Sequence, residues 1–264
     1  MPGITDCERQ FHIQTLPEEV GRYVILAGDP ARVPLIARLL EGAAQVAYNR
    51  EFNVYSGTLE GERVTVCSTG IGGASTAIAV EELIKCGADT FIRVGTCGGI
   101  ADKVRGGDLV IASSAIRAEG TSYEYLPTGY PAAADYDVTE ALARAAAALS
   151  QDRDGARYHV GVVHSKDSFY GQVETESSPV AYKLRERWQS YIRCGCLSSE
   201  MECAALYSVT QARGARGGAV LTAIWNMERS HSGVDDTQTL DSSRAIRCAV
   251  EAVRLLIKES GKNG

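Results

Sequence analysis

Short apolar runs and longer amphipathic stretches alternate along this chain, the pattern of strands interleaved with helices. The apolar run 23–27 predicts a buried strand ending at Gly28-Asp29-Pro30. Residues 54–59 and 64–68 predict a hairpin turning at Glu60-Gly61-Glu62. Further strands are predicted over 90–94, 108–115, 115–119, 158–164 and 218–225. Helices are predicted over 74–86, 138–149, 179–193, 200–212 and 240–259. In the first, Ala77, Val80, Leu83 and Ile84 share a face; in the last, Ile246, Ala249, Val250, Val253, Leu256 and Ile257 do. No internal repeat or low-complexity linker interrupts the series. The expectation is one α/β domain over 1–264, its parallel or mixed sheet covered by helices on both faces.

The segment Phe91-Ile92-Arg93-Val94-Gly95-Thr96-Cys97-Gly98-Gly99 breaks the pattern, with an arginine inside a buried strand that enters a predicted glycine-rich turn. Buried arginine needs a partner. One partner is a bound anion, which the planar guanidinium fork and the N–H groups of such a turn both suit. The other is a core carboxylate, and both remain open at this stage.

Other strand ends share the charge logic. Gly28-Asp29-Pro30-Ala31-Arg32 sets an arginine one turn beyond the first strand, and Asn49-Arg50-Glu51-Phe52 places another between loop and strand. Either alone reads as a solvated surface arginine; with Arg93 they suit phosphate or a phosphate ester. The glycine loop 69–75 before a helix fits an anion or close strand–helix packing, and lacks both the P-loop and dinucleotide patterns. Ser198-Ser199-Glu200-Met201-Glu202 brings two carboxylates to a predicted helix start, where one can support the N-terminus and the other accept from sugar hydroxyls. His159 and His164 read as structural strand residues, Trp188 and Trp225 as core or interface anchors, and the loop 230–236 with His231 as a lid by composition alone.

Composition narrows the partners. Across 264 residues, 45% are hydrophobic and 23% charged, ordinary for a globular core. A net charge of -6 argues against sequence-independent nucleic-acid binding. No apolar run suits a membrane span and no signal-peptide core opens the chain, so no membrane partner and a cytoplasmic address are expected. The eight cysteines lack a tetrahedral ligand pattern and read as reduced thiols.

Taken in order, Gly28-Asp29-Pro30, Asn49-Arg50-Glu51, Ser68 with the glycine loop, Arg93-Val94-Gly95-Thr96 and Glu200-Met201-Glu202 resemble the nucleoside phosphorylase I family, from His12 to the C-terminal helix. The resemblance implies a three-layer α/β/α fold with a central twisted mixed sheet. It implies a phosphate site of Gly28, Arg32, Arg50, Arg93 and Thr96. It implies that Met201 and Glu202 hold the ribose, and that Phe169 and Gln172 meet the base. His12 matches a histidine lent across a dimer interface to the ribose, and the family's assembly is a hexamer built from dimers. Glu51, Ile71 and Ser75 match positions that hold a monovalent cation such as K+ between subunits in some relatives.

The base end departs from the enterobacterial-type pyrimidine members. Their arginine two residues after the glutamine is Glu174 here, and Lys166 resembles the replacement in a Gram-positive-type branch. A second family arginine aligns with Met227, with Arg229 two residues on. Purine-specific members carry an aspartate near Asn226, and asparagine cannot act as that acid. The resemblance therefore implies reversible phosphorolysis of uridine to uracil and ribose 1-phosphate, with phosphate as co-substrate and no required cofactor. Arg93, Glu202, Gln172 and Lys166 would carry the chemistry through positioning and electrostatics. A purine nucleoside phosphorylase, a nucleosidase of the same fold and a nucleoside-binding sensor are the alternatives.

Overall fold

Fully buried strands and amphipathic helices assemble here by the parity of their side chains. The computed structural model describes residues 9–151, 157–234 and 237–261. In chain order the strands are β1 (Tyr23–Ala27), β2 (Glu41–Asn49), β3 (Phe52–Leu59), β4 (Glu62–Ser68), β5 (Thr90–Gly99), β6 (Leu109–Ala118), β7 (Ala132–Ala133), β8 (Tyr158–Lys166), β9 (Ser198–Glu200) and β10 (Arg216–Asn226). The helices are α1 (Val33–Ala37), α2 (Gly73–Lys85), α3 (Tyr136–Gln151), α4 (Phe169–Val173), α5 (Ala181–Arg193), α6 (Cys203–Arg213), α7 (Met227–His231) and α8 (Ser243–Ser260).

Alternation along the central strands divides the interior into two cores. Val24, Leu26, Phe91 and Leu221 face α2 and α6, packing with Leu83, Leu206 and Tyr207. Ile25, Ile92, Val94 and Val220 face the other way, toward α1, α3 and α8 through Ile36, Leu142 and Val253. The result is a mixed sheet between two helical layers, as the sequence pattern predicts.

The sheet also closes on itself. Strand β5 pairs parallel with β10, β10 antiparallel with β6, β6 parallel with β8, β8 parallel with β9, and β9 antiparallel with β5. From this ring β1, β4, β3 and β2 extend as a tail. Closure explains three differences from the sequence-based expectations. Strand β5 runs through Gly99 rather than turning after Val94, because β10 and β9 pair its glycine-rich half. Strand β6 is continuous where a break was expected at Ala115, with a register shift between Ala112 and Ser114. Glu200 belongs to β9, and the following helix begins at Cys203. Among the described residues, no helix is long and apolar enough to cross a membrane.

Candidate active site

Arg93 shares strand parity with Phe91 and so points toward the α6 side of the sheet. Gly95 makes room for it, because a Cβ there would fall 2.8 Å from Arg93 Nη2. Arg93 Nη2 donates to Glu202 Oε2, and Arg93 Nε lies 3.5 Å from Glu200 Oε2. The core-carboxylate reading therefore holds. Arg93 Nη1 nevertheless has no hydrogen-bond partner among the described residues, and a Cβ added to Gly28 would stand 3.8 Å from it. One face of the guanidinium serves the fold, while a buried donor beside glycine backbone is left for an anion. Burial disfavours the Arg93 charge, but Glu202 and Glu200 outweigh it and hold its pKa above the usual range.

The two carboxylates divide their work. Glu200 Oε2 accepts from the N–H groups of Glu202 and Cys203 at 2.8 and 3.0 Å, and Ser165 donates to Oε1. Glu200 therefore satisfies donors at the start of α6. Glu202 Oε1 accepts from Gly72 N–H at 2.7 Å, where Gly72 has φ 96°. The glycine loop thus gives one N–H to the protein's own carboxylate, while Gly73 allows close packing against Ala205 of α6. Burial raises the Glu202 pKa, while Arg93 pulls it down.

These groups line a cavity of about 290 Å³. Gly28, Arg32, Arg93 and Thr96 come together there with Met201 and Glu202, and with Lys166, Phe169 and Gln172. Arg32 arrives because Asp29 accepts from Ala31 N–H at 2.8 Å, starting the single turn Pro30–Arg32 beyond β1. Burial lowers the Arg32 pKa, Asp29 raises it, and neighbouring Arg93 lowers it again. Cys97 also lines the cavity, but burial pushes its thiol up to about 12, which makes it a poor nucleophile.

At the far end, Lys166 Nζ donates to Ser199 Oγ at 2.9 Å, and Ser199 Oγ donates to Gln172 Oε1 at 2.7 Å. Lys166 Nζ also lies 5.9 Å from the centroid of the Phe169 ring. Burial lowers the Lys166 pKa, opposed by Glu200 and Glu202. His164 Nδ1 lies 3.1 Å from the same serine oxygen, and burial, then Lys166, push its pKa down to about 4. Sequence reasoning missed Ser199 as a contact and gave His164 only a structural role. A serine carries no periodic signal, and its neighbours are assembled by the β8–β9 register that opposes His164 to Ser199.

Other expected residues stand elsewhere. Arg50, at φ 54° in the turn between β2 and β3, does not line this cavity, so the three-arginine cleft drawn from sequence is a two-arginine cleft here. His12 also stands outside, with Nδ1 2.6 Å from Glu82 Oε1. Glu51 Oε1 accepts from Ser75 Oγ at 2.7 Å, and Ile71 lies on the cavity rim. Asn226 caps α7 and donates to the carbonyls of Ala101 and Val104. Arg229 donates to the Asp102 carbonyl at 2.7 Å instead of reaching the base end. His159 is tied to Asp108 at 2.9 Å. In the loop 230–236, Asp235 and Asp236 lie outside the described residues.

The cavity thus joins an anion-ready end, a buried carboxylate suited to hydroxyls, and a polar edge beside an aromatic ring. Known proteins share this chain's sequence over nearly its full length. A uridine phosphorylase of Treponema pallidum is 49% identical, the match covering 97% of this chain and 96% of that protein. A uridine phosphorylase of Thermococcus kodakarensis is 42% identical over 94% and 86%. A guanosine phosphorylase of Halorubrum lacusprofundi is 36% identical over 94% and 99%. The model of the Phosphorylase superfamily matches residues 22–254, from the first strand into the last helix, and the chain belongs to that superfamily.

Proposed function

We propose that this chain, as a single catalytic domain, carries out reversible phosphorolysis of uridine, yielding uracil and ribose 1-phosphate. The observation that carries the reading is one cavity with Arg32, Arg93 and Thr96 at one end, Glu202 between, and Lys166, Gln172 and Phe169 at the other. A hydrolase needs no cradle for phosphate, and the unpartnered Arg93 Nη1 supports one. The names of the Treponema and Thermococcus relatives agree with this reading.

Phosphate held by Gly28, Arg32, Arg93 and Thr96 attacks C1′ from the face opposite the base. The C1′–O bond forms as the C1′–N1 bond breaks, and its electron pair leaves on the base through an oxocarbenium-like transition state. Glu202 orients the ribose hydroxyls beside Met201. Lys166 and Gln172 stabilise the charge that develops on uracil, which then takes a proton from solvent. Positioning and electrostatics suffice, without a covalent enzyme intermediate.

The lining holds Arg32, Arg93 and Lys166 against Asp29, Glu200 and Glu202, so one protomer by itself gives a dianion little net compensation. This supports a homo-oligomer, by resemblance a hexamer built from dimers, in which Arg50 and His12 reach a neighbour's cavity. The adjacent Glu51 and Ser75 oxygens are hard donors suited to K+ at that interface, where the resemblance also implies Ile71. A cytoplasmic address fits this nucleoside chemistry.

The guanosine phosphorylase relative keeps a purine reading in play. Against it, among the described residues the only aspartate lining the cavity is Asp29, beside the phosphate end, and Asn226 cannot act as an acid toward a purine. Phosphate-dependent turnover of uridine, thymidine, deoxyuridine, inosine and guanosine by purified protein tests both readings. Uridine is expected to lead; a lead for inosine or guanosine would overturn the base assignment.

A further inference from the structure

Three side chains converge on the hydroxyl of Ser199, and their chemistry determines how it is used. Its Oγ lies 2.9 Å from Lys166 Nζ, 3.1 Å from His164 Nδ1 and 2.7 Å from Gln172 Oε1. A serine hydroxyl has one proton and two lone pairs. The Lys166 ammonium can only donate, so it takes one lone pair. His164, neutral above about pH 4, takes the other when its proton sits on Nδ1. The Ser199 proton then requires an acceptor, and on Gln172 only the carbonyl oxygen qualifies.

With the His164 proton on Nδ1, the reversed amide would aim three donors at one oxygen and leave the hydroxyl proton unpaired, in a residue only 2% exposed. The serine itself cannot easily turn away. Its backbone is held between two strands, opposite Gly98 in β5 and His164 in β8.

We propose that Ser199 is a positioning residue for base selection: by donating to Gln172 Oε1 it holds the amide so that its oxygen accepts from a base N–H and its nitrogen donates to a base carbonyl. This rests on the uridine reading and extends it. Uracil presents N3–H beside carbonyl oxygens, matching a held amide whose oxygen keeps a second lone pair. Cytosine presents a bare lone pair at N3, which meets that oxygen in repulsion. Lys166 reinforces the arrangement by polarising the hydroxyl it donates to.

The test is Ser199→Ala in the full-length protein, with uridine kinetics and inhibition constants for uracil and cytosine. Uridine kcat/KM is expected to fall about 10- to 100-fold, mainly through KM, as a freely turning amide loses its fixed polarity. The preference for uracil over cytosine should shrink about 10-fold, and Ser199→Thr should restore most of it. In a Gln172→Ala background, Ser199→Ala should change the preference by less than about 2-fold, because the serine acts through the amide. A merely structural serine would not produce that dependence. Should Ser199→Ala fail to fold, Ser199→Cys, whose thiol donates weakly, carries the same comparison. Active wild-type enzyme with an unchanged base preference in the variant overturns this inference alone. Wild-type protein inert toward uridine with phosphate overturns the uridine reading and this inference together.

Discussion

Arg93 donates to the carboxylate of Glu202 in the cavity lining, joining its proposed phosphate end to its proposed ribose end. The side chains are only 5% and 6% exposed, so neither charge can fall back on solvent. Removing Arg93 leaves Glu202 and Glu200 buried without their cation. Arg93→Ala is therefore expected to lose activity and also about 3–5 kcal/mol of stability. Urea denaturation checks this, and wild-type stability in the variant would contradict the pairing.

Arg32 offers a cleaner probe of phosphate binding, since it is half-buried and makes no close ion pair among the described residues, although Asp29 and Glu202 favour its charge. Arg32→Ala should keep the melting temperature within about 2 °C, as expected for a change of a few tenths of a kcal/mol. Its kcat/KM for phosphate should fall on the order of 100-fold, the scale of losing a charge-assisted contact to the reacting group. Steady-state kinetics with varied phosphate measures this; an unchanged phosphate KM would remove Arg32 from the cradle.

Lys166 should impose an alkaline limit. Burial lowers its pKa from 10.5, so its positive charge disappears at a lower pH than that of an ordinary lysine. Uridine kcat/KM should fall across that range, although the N3–H of uridine also ionises on the alkaline side. Lys166→Arg separates the two, because guanidinium stays charged. The alkaline limb should move upward in the variant; coincident limbs would mean that Lys166 does not stabilise the departing base.

His164 makes the fold sensitive to acid. Burial pushes its folded pKa down to about 4 from the ordinary 6.5, so well above pH 6.5 the imidazole is neutral in both states. As pH falls from 6.5 toward 4, the unfolded chain gains a proton that the folded chain refuses, and stability drops by about 3 kcal/mol in total. Comparing His164→Asn with wild type by urea denaturation across this window cancels the other titrating groups. A shallower pH dependence is expected in the variant, and parallel curves would contradict the burial argument.

The fold was legible where burial leaves a period. Strand β1, the β3–β4 hairpin and helix α8 follow directly from apolar spacing. Strand β2 was missed because it is a largely exposed edge strand with no apolar alternation. The glycine half of β5 resembles a turn locally, and only ring closure, with partners on both sides, makes it a strand. At the site, Arg93 announced itself as a charge in an apolar run. Ser199 did not, because its importance lies in the saturation of its hydroxyl by residues 27 and 33 positions away.

The central claim is that phosphate, not water, is the nucleophile. Phosphorus NMR of purified protein with uridine and inorganic phosphate, alongside uracil release, tests it most directly. One phosphate should be consumed, and one ribose 1-phosphate formed, for each uracil released, with no release when phosphate is omitted. Uracil released at the same rate without phosphate, and without a sugar phosphate, would contradict the account.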